Sequence, residues 1–234
     1  MSQLLQREID RLKKHIVSLG ADVEESLRVA ARAIVACDAV LARTVIEGDA
    51  KIDQQEVDME EECLKILALH QPVAGDLRFI IATLKINNDL ERIGDLAAHI
   101  AERALALSRE SAATVPAELV TMADKVREML AKCLDALINM DAEAAFAVCA
   151  ADDDVDAIHR EMYRKIKDGI RKSPENLDAL LQLLSASRYL ERIADQTTNI
   201  AEDLIYLIKG DIIRHKLANR RLFEEEAESM NNEQ

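Results

Sequence analysis

Apolar residues recur three and four positions apart along most of the chain, which predicts long amphipathic helices. The first helix is predicted from about Gln3 to Ala36. The breaks HQPVAGD, SAATVP and KSPEN, with Asp38 as a candidate N-cap, divide the rest of the chain. The further helices are predicted over about 38–69, 72–108, 116–140, 141–172 and 174–208. The pattern therefore predicts six helices, three in each half.

The two halves are copies of one unit. The hexapeptide LERIGD begins at Leu90 and LERIAD begins at Leu190, one hundred residues later. Segments beginning at Asp38 and Asp141 also match, at an offset of 103, so the length change falls at the proline break. A duplicated three-helix unit tolerates such a change in a loop. We therefore predict an all-α fold of two tandem three-helix bundles related by internal pseudo-symmetry.

This organisation predicts three parts of the chain. Residues 1–112 form the first repeat, residues 113–209 the second, and residues 210–234 a C-terminal extension without a counterpart. The extension has basic and then acidic blocks, for which we expect a short helix followed by disorder.

Composition and charge exclude several classes of protein. The 234 residues carry a net charge of -14, which would repel a phosphate backbone, so nucleic acid is not an expected partner. No apolar run approaches the roughly 20 residues needed to span a bilayer, and the N-terminus lacks a signal-peptide core. We expect a cytoplasmic protein without direct membrane insertion. The cysteines lack metal-ligand spacing and are expected to be buried free thiols: Cys37, Cys63, Cys133 and Cys149.

Acidic residues are paired four positions apart on the second and third helices of each half, which places each pair on one helix face. The pairs are Asp49 with Asp53, Glu91 with Asp95, Asp152 with Asp156, and Glu191 with Asp195. If consecutive helices form antiparallel hairpins, the two pairs of each half lie at the same height. The turns would then be centred at position 72 and between positions 173 and 174, where the predicted breaks lie.

Carboxylates this close repel each other strongly unless cations or protons neutralise them. Carboxylate oxygens suit hard divalent or trivalent metals and can bridge more than one ion. Glu56 and His159, each three residues beyond an aspartate of the pairs, are candidate extra ligands. His99 and Asn199 could support the sites or lie at the surface. The alternative is that Arg92 and Arg192 form surface salt bridges with the acids and no metal binds.

The sequence resembles the PhoU family of phosphate-signalling regulators from about residue 2 to 209. The resemblance rests on HQPVAGDLRFIIATLKINNDLERIGDLAAHIAE, on its second copy LERIADQTTNIAEDLIYLIKG, and on DAKID and DDDVD. It implies a multinuclear transition-metal cluster, iron or zinc, on the acidic pairs of each half. The implied ligands are Asp49, Asp53, Glu91 and Asp95 in one half and Asp152, Asp156, Glu191 and Asp195 in the other. His159 stands where the first half has Glu56, which puts equal occupancy of the two sites in doubt.

The resemblance also implies a role. Members of this family are cytoplasmic negative regulators of the phosphate-starvation response and of phosphate uptake, and they often form homodimers. They act between the ATPase of the phosphate ABC transporter and the phosphate-sensing histidine kinase. We therefore expect a metal-binding adaptor rather than an enzyme, since the sequence has no nucleophile-base arrangement and no phosphate-cradling glycine loop.

Two alternatives remain open at this point. One is a ferritin-like enzyme with a carboxylate-bridged dimetal site, but such sites use an E-x-x-H motif, which this chain lacks. The other is a helical scaffold that binds no metal. The metal content of the purified protein distinguishes these alternatives.

Overall fold

The protein folds into six long helices. A computed structural model describes residues 3–110 and 114–210, and within these ranges it contains no β-strand. The helices are α1 (Gln3–Ala36), α2 (Ala39–His70), α3 (Ala74–Leu107), α4 (Ala117–Asn139), α5 (Ala142–Lys172) and α6 (Leu177–Lys209). Helices α1 to α3 pack together, as do α4 to α6, and α3 lies along α6 between the two bundles. This confirms the predicted all-α fold of two tandem three-helix bundles.

The first turn of each repeat uses the same two local signals. Cys37 and Met140 adopt left-handed backbone conformations, with φ of 49° and 52°, directly after α1 and α4. The next residue, Asp38 or Asp141, accepts hydrogen bonds from the first backbone N–H groups of the following helix. The N-cap at Asp38 was predicted, and both caps satisfy donors that a helix start otherwise leaves unpaired. Such short turns force α1 against α2 and α4 against α5 as antiparallel hairpins.

The second turn of each repeat differs slightly from the prediction. Pro72 lies outside α3, which begins at Ala74 after Val73 in an extended conformation. Pro174 opens a 3-10 turn over Pro174–Asn176, and α6 begins only at Leu177. A proline disfavours helical backbone at the residue before it. Gln71 accordingly adopts a left-handed conformation with φ of 43°, and Ser173 lies outside the helical region with φ of -140°, so the chain changes direction at these residues.

The hydrophobic core runs through both repeats and consists mainly of Leu, Ile, Val, Ala and Met side chains. Gly20 of α1 is buried in this core, and a Cβ at that position would lie 2.7 Å from Leu134 Cδ2 of α4. A glycine at this position therefore permits the close approach of α1 and α4.

The four cysteines all lie in the described part of the chain and form no disulfide bond there. Cys63, Cys133 and Cys149 are buried as predicted, whereas Cys37 is only half-buried because it lies in the turn between α1 and α2. Burial raises the pKa of Cys63 and of Cys133 to about 12, which keeps both thiols protonated.

Polar contacts connect the two repeats along α3 and α6. Lys85 Nζ lies 3.3 Å from Oδ1 of Asp203, whose side chain is 2% exposed. The His99 ring stacks on Tyr189 with 5.3 Å between ring centroids. These contacts, spaced along the antiparallel pair, fix the register of α3 against α6.

The predicted division between the repeats, at residues 112 and 113, falls in 111–113, outside the described residues. Of the predicted C-terminal extension, only Gly210 is described, and it caps α6. The short helix expected after it also lies outside the described residues. Both divisions stay predictions.

Candidate metal centres

The acidic residues of α2 and α3 meet at one level of the first hairpin. One carboxylate oxygen from each of Asp49, Asp53 and Asp95 lies within 4.8 Å of the other two. Asp49 and Asp95 are half-buried, and Asp53 is exposed. The predicted spacing and hairpin register therefore bring these three residues together, at separations over which one hard cation can contact several oxygens.

Glu91, the fourth candidate ligand of this half, belongs to the same electrostatic group. Burial raises the pKa of its carboxyl, and the charges of Asp95, Asp53 and Glu56 act in the same direction. Burial also raises the pKa of Glu56, followed by the charges of Glu60 and Asp53. We call the group of Asp49, Asp53, Glu91 and Asp95 the first cluster. Glu56 lies at its edge.

Asp49 titrates far above the ordinary range of an aspartate. Burial and then the charges of Asp53 and Asp95, opposed by His99, together raise its pKa to about 6. Asp49 Oδ1 is buried and has no hydrogen-bond partner among the described residues. A buried carboxylate oxygen that lacks a donor and is surrounded by other carboxylates has the chemistry of a cation ligand.

Arg92 offsets part of this negative charge. Its Nη1 lies 3.1 Å from Asp95 Oδ2, and the two side chains are 41% and 30% exposed. This is the type of surface salt bridge that the metal-free alternative predicts, and such pairs stabilise proteins weakly. The salt bridge involves Asp95, and Asp49 Oδ1 still has no donor in the described part of the chain.

Gly94 allows α2 and α3 to approach each other at the first cluster. It is buried on α3, and a Cβ there would lie 3.1 Å from Ile52 Cγ2 and 3.7 Å from Asp49 Oδ1. A larger residue would therefore push α2 outwards at the level of the candidate ligands.

The second hairpin brings its acids into electrostatic contact but groups them less tightly. Burial raises the pKa of Asp195, followed by the charge of Asp156. Burial also raises the pKa of Glu191, followed by the charges of Asp195 and Asp156. Arg160 Nη1 lies 3.8 Å from Asp156 Oδ2, and Asp152 is half-buried one turn earlier on α5. Within residues 3–110 and 114–210, only the first hairpin has three candidate ligand atoms within 4.8 Å.

Two buried polar residues not predicted from the sequence contact the extra candidate ligands. Ser187 Oγ lies 2.7 Å from Nδ1 of His159, and Asn87 Nδ2 donates to the backbone oxygen of Glu56 at 2.9 Å. Burial lowers the pKa of His159, which favours the neutral imidazole that a metal requires. Asn87 and Ser187 are 1% and 0% exposed. A polar residue that interrupts the apolar face of a helix was the signal that could have identified them.

His99 and Asn199 occupy equivalent positions with different surroundings. His99 Nδ1 is buried without a hydrogen-bond partner among the described residues, and its ring packs on Tyr189 of the other repeat. Asn199 is exposed. His99 therefore lies in the contact between the repeats, beside the first cluster.

The donor set of each hairpin fits a hard or borderline metal ion. Both hairpins offer carboxylate oxygens, which suit ions such as manganese, magnesium and iron. An imidazole, which suits zinc and iron, lies beside each group: His99 acts on Asp49, and Asp156 acts on His159. The orphaned Asp49 Oδ1 is an observation of the fold itself that favours a cation there.

Comparison with known families identifies the repeated unit. The sequence profile of the PhoU domain matches the chain twice, over residues 16–104 and 119–204. The chain belongs to the PhoU family. The two matched segments coincide with the two helical bundles, which confirms the resemblance stated from the sequence.

Relatives and solved structures of this PhoU-family chain agree with each other. It is 37% identical over 216 residues to the phosphate-specific transport system accessory protein PhoU homolog of Pseudomonas putida, covering 92% of this chain and 84% of that protein. The crystal structure of PhoU from Pseudomonas aeruginosa matches with a TM-score of 0.86 and 36% identity, over 88% of this chain and 99% of that one.

A second solved structure is the phosphate transport system regulatory protein PhoU from Streptococcus pneumoniae. It has a TM-score of 0.82 and 31% identity, over 89% of this chain and 98% of that one. The family and these structural neighbours are regulatory accessory proteins, not enzymes. The ferritin-like enzyme is therefore no longer a candidate. None of the described helices combines the length and the apolar character needed to cross a membrane.

Proposed function

We propose that this chain is a cytoplasmic negative regulator of the phosphate-starvation response and of phosphate uptake. It binds metal and acts as an adaptor between the ATPase of the phosphate ABC transporter and the phosphate-sensing histidine kinase. The observation that carries the phosphate-transport role is the PhoU-domain match to both repeats, together with relatives named as accessory proteins of the phosphate-specific transport system. That name supports association with the transport system.

The metal-binding part of the proposal is supported by the first cluster, where three carboxylate oxygens lie within 4.8 Å of one another. Asp49, Asp53, Glu91 and Asp95 would hold the ions of the first hairpin. Asp152, Asp156, Glu191 and Asp195 would hold those of the second. Iron and zinc are the metals we propose for the multinuclear cluster, and the bound cations would supply positive charge that removes the repulsion between the acids.

Metal content tests this part directly. Protein purified without a histidine tag or chelator should contain iron or zinc by elemental analysis, and the combined substitution of Asp95→Ala and Asp195→Ala should remove most of it. Asp22→Ala is the matched control, because Asp22 pairs with Lys51 on α1 and α2 outside the acidic clusters. Wild-type protein without metal, even after incubation with iron or zinc, would favour the metal-free scaffold.

The adaptor part is tested by binding. The full chain should form complexes with the transporter ATPase and with the sensor kinase in separate measurements, each repeated with metal and with chelator. Failure to bind either partner in both conditions would refute the adaptor role. The metal content of the same preparation shows separately whether the metal-binding part stands.

We also propose that the protein forms a homodimer. Several large apolar side chains are exposed near the turn between α2 and α3, including Leu69 at 67% and Val73 at 74%. Exposed apolar surface of this kind marks an interaction site when it is contiguous. Sedimentation velocity should give about twice the mass of 26.1 kDa, and a monomer at micromolar concentration would contradict this expectation.

A further inference from the structure

The described part of the chain ends at Gly210, directly beside α3. Gly210 has a left-handed backbone conformation with φ of 79°, and its N–H donates to the backbone oxygen of Tyr206 at 2.9 Å. Such a cap ends a helix and turns the chain away from the helix axis. A Cβ at Gly210 would lie 2.5 Å from Nη1 of Arg78. The residues after Gly210 therefore start next to the N-terminal part of α3.

Two large apolar side chains of α3 are exposed close to this point. Leu77 is 39% exposed and Ile81 is 37% exposed, and their spacing of four residues places them on one face of the helix. Both lie within about 5 Å of Arg78 along the helix axis, since a helix rises about 1.5 Å per residue. We call Leu77 and Ile81 the α3 stripe.

Arg78 has a donor that the described residues do not use. Its Nε is buried and has no hydrogen-bond partner in the described part of the chain, and a buried polar group without a partner destabilises a protein. The residue that follows Gly210 is Asp211. A carboxylate one residue beyond Gly210 is a suitable acceptor for the guanidinium group.

The sequence after Gly210 begins with an apolar and basic segment. Residues 211–223, DIIRHKLANRRLF, contain five large apolar side chains and four Lys or Arg side chains. Ile213 and Leu217 are four residues apart, as are the residues of the α3 stripe. Because the whole chain has a net charge of -14, its surface attracts a basic segment. Three consecutive glutamates follow at 224–226, which sets the end of the attracted segment.

We infer that residues 211–223 pack against their own chain, with Asp211 paired to Arg78 and with Ile213 and Leu217 on the α3 stripe. The segment starts beside Arg78, so only a few residues are needed to reach the stripe. A short connection of this kind gives an effective concentration of about millimolar, and weak apolar contacts are then sufficient. A partner that uses the α3 stripe must displace the segment. The inference does not depend on the proposed metal binding or on the proposed regulatory role.

Hydrogen exchange of the full chain, followed by mass spectrometry, tests this contact. The amides of residues 211–223 should exchange at least about tenfold more slowly than those of a separate peptide with the same sequence, because packed segments open rarely. Leu77→Glu together with Ile81→Glu should return the exchange to the rate of the peptide. Asp211→Asn should reduce the protection about threefold, since Arg78 then loses a charged acceptor.

The second repeat supplies a matched control. Leu177 and Leu181 occupy the equivalent positions of α6 and are 41% and 42% exposed. They lie near the start of α6, at the opposite end of this helix from Gly210. Leu177→Glu together with Leu181→Glu should therefore leave the exchange of residues 211–223 unchanged.

A further variant leaves the helical bundles untouched. Ile213→Glu together with Leu217→Glu changes only the segment, which lies beyond the PhoU-domain match that ends at residue 204. It should abolish the protection as the α3 variant does. This result keeps the test decisive even if the α3 variant does not fold.

The outcomes distinguish the occupant of the α3 stripe. Exchange of residues 211–223 at the rate of the peptide in the wild-type protein would overturn the inference. Protection that is lost in the Leu177 and Leu181 variant but retained in the Leu77 and Ile81 variant would also overturn it, because the segment would then pack elsewhere. Protection that disappears on about hundredfold dilution, together with the dimer, would assign the segment to a second copy of the chain and refute packing within one chain.

Discussion

Gly94 lets α2 and α3 approach at the first cluster, and an alanine there should strain that contact. The new Cβ would lie 3.1 Å from Cγ2 and 3.2 Å from Cδ1 of Ile52, whereas carbon atoms pack best at about 3.5 to 4.0 Å. Overpacking of this kind costs about 1 to 3 kcal/mol, and alanine in place of glycine stabilises a helix by about 1 kcal/mol. We expect Gly94→Ala to lower the free energy of unfolding by about 1 kcal/mol.

The second repeat contains a natural control for this substitution. Its equivalent residues are Ala194 and Val155, both 0% exposed, so the extra methyl group on α6 is matched by a smaller residue on α5. Ile52→Val removes the Cδ1 atom of α2 and alone should cost about 1 kcal/mol. The double variant copies the second repeat. Because valine keeps the Cγ2 atom at 3.1 Å and loses only the Cδ1 contact at 3.2 Å, its cost should fall below the sum of the single costs by about 0.5 kcal/mol.

The free energy of unfolding of the wild type, the two single variants and the double variant is measured by urea unfolding followed by circular dichroism. The measurements are made at one pH with chelator present, so that metal binding does not contribute. Additivity within about 0.3 kcal/mol would refute the reasoning, because residues without contact add in this way. So would a Gly94→Ala protein more stable than wild type by the full helix-propensity gain, since the methyl group would then meet no steric resistance.

Three further substitutions test the charges on and away from the first cluster. In metal-free protein, Asp49→Asn should raise the free energy of unfolding at pH 7 by on the order of 1 kcal/mol after solvent screening. The reason is that the folded-state pKa of about 6 exceeds the ordinary 3.8, so stability is lost as the pH rises between these values. Denaturation across that range should show a flatter curve for the variant. Lys85→Ala should cost about 2 kcal/mol, because Asp203 is buried. Asp22→Lys should cost at most about 1 kcal/mol, and adding Lys51→Asp should restore stability. The last two are measured by thermal unfolding.

The helices and the height of the acidic pairs could be predicted because both depend on local, regular geometry. Asp38 and Asp141 mark helix starts by their own side-chain chemistry, and a turn of a few residues leaves the next helix only the antiparallel direction. Once the position of the turn is known, the residues of α3 opposite Asp49 are those that lie equally many residues beyond the turn. The duplicated pattern predicts the same arrangement in the second hairpin, where Asp156 acts on Glu191 and Asp195 although the acids lie less close together.

The difference between the two centres could not be predicted, because it depends on side-chain contacts between helices. Whether Ser187 reaches His159, or Asn87 reaches only a backbone oxygen, is decided by rotamers and by a few tenths of an ångström in helix separation. The same is true of Arg160, which approaches Asp156 to 3.8 Å in the second hairpin. Periodicity places these residues on the correct face but does not say which neighbour each one contacts.

The repeats also show that equivalent positions can conserve an interaction while exchanging its chemistry. Asp22 of α1 pairs with Lys51 of α2 at 2.7 Å, and the equivalent Lys125 of α4 pairs with Asp154 of α5, also at 2.7 Å. The ion pair is kept, and its polarity is reversed. Interactions that depend only on opposite charge can be exchanged in this way, whereas the acidic pairs that face α3 and α6 keep their sign in both halves.

The acidic pairs are negative in both repeats, and the stability of the metal-free fold does not explain this. Asp49 is half-buried among other acids and has an unpaired oxygen within the described structure, so its charge weakens the hairpin at neutral pH. A ligand that binds only the folded state contributes about 2.7 kcal/mol at a hundred times its dissociation constant, which exceeds the cost of on the order of 1 kcal/mol assigned to Asp49 after screening. A bound cation would therefore replace the repulsion between the acids of α2 and α3 by attractions that hold the two helices together. Under the proposed function, the stability of the contact between α2 and α3 depends on bound metal, whereas the hydrophobic core between α1 and α3 does not.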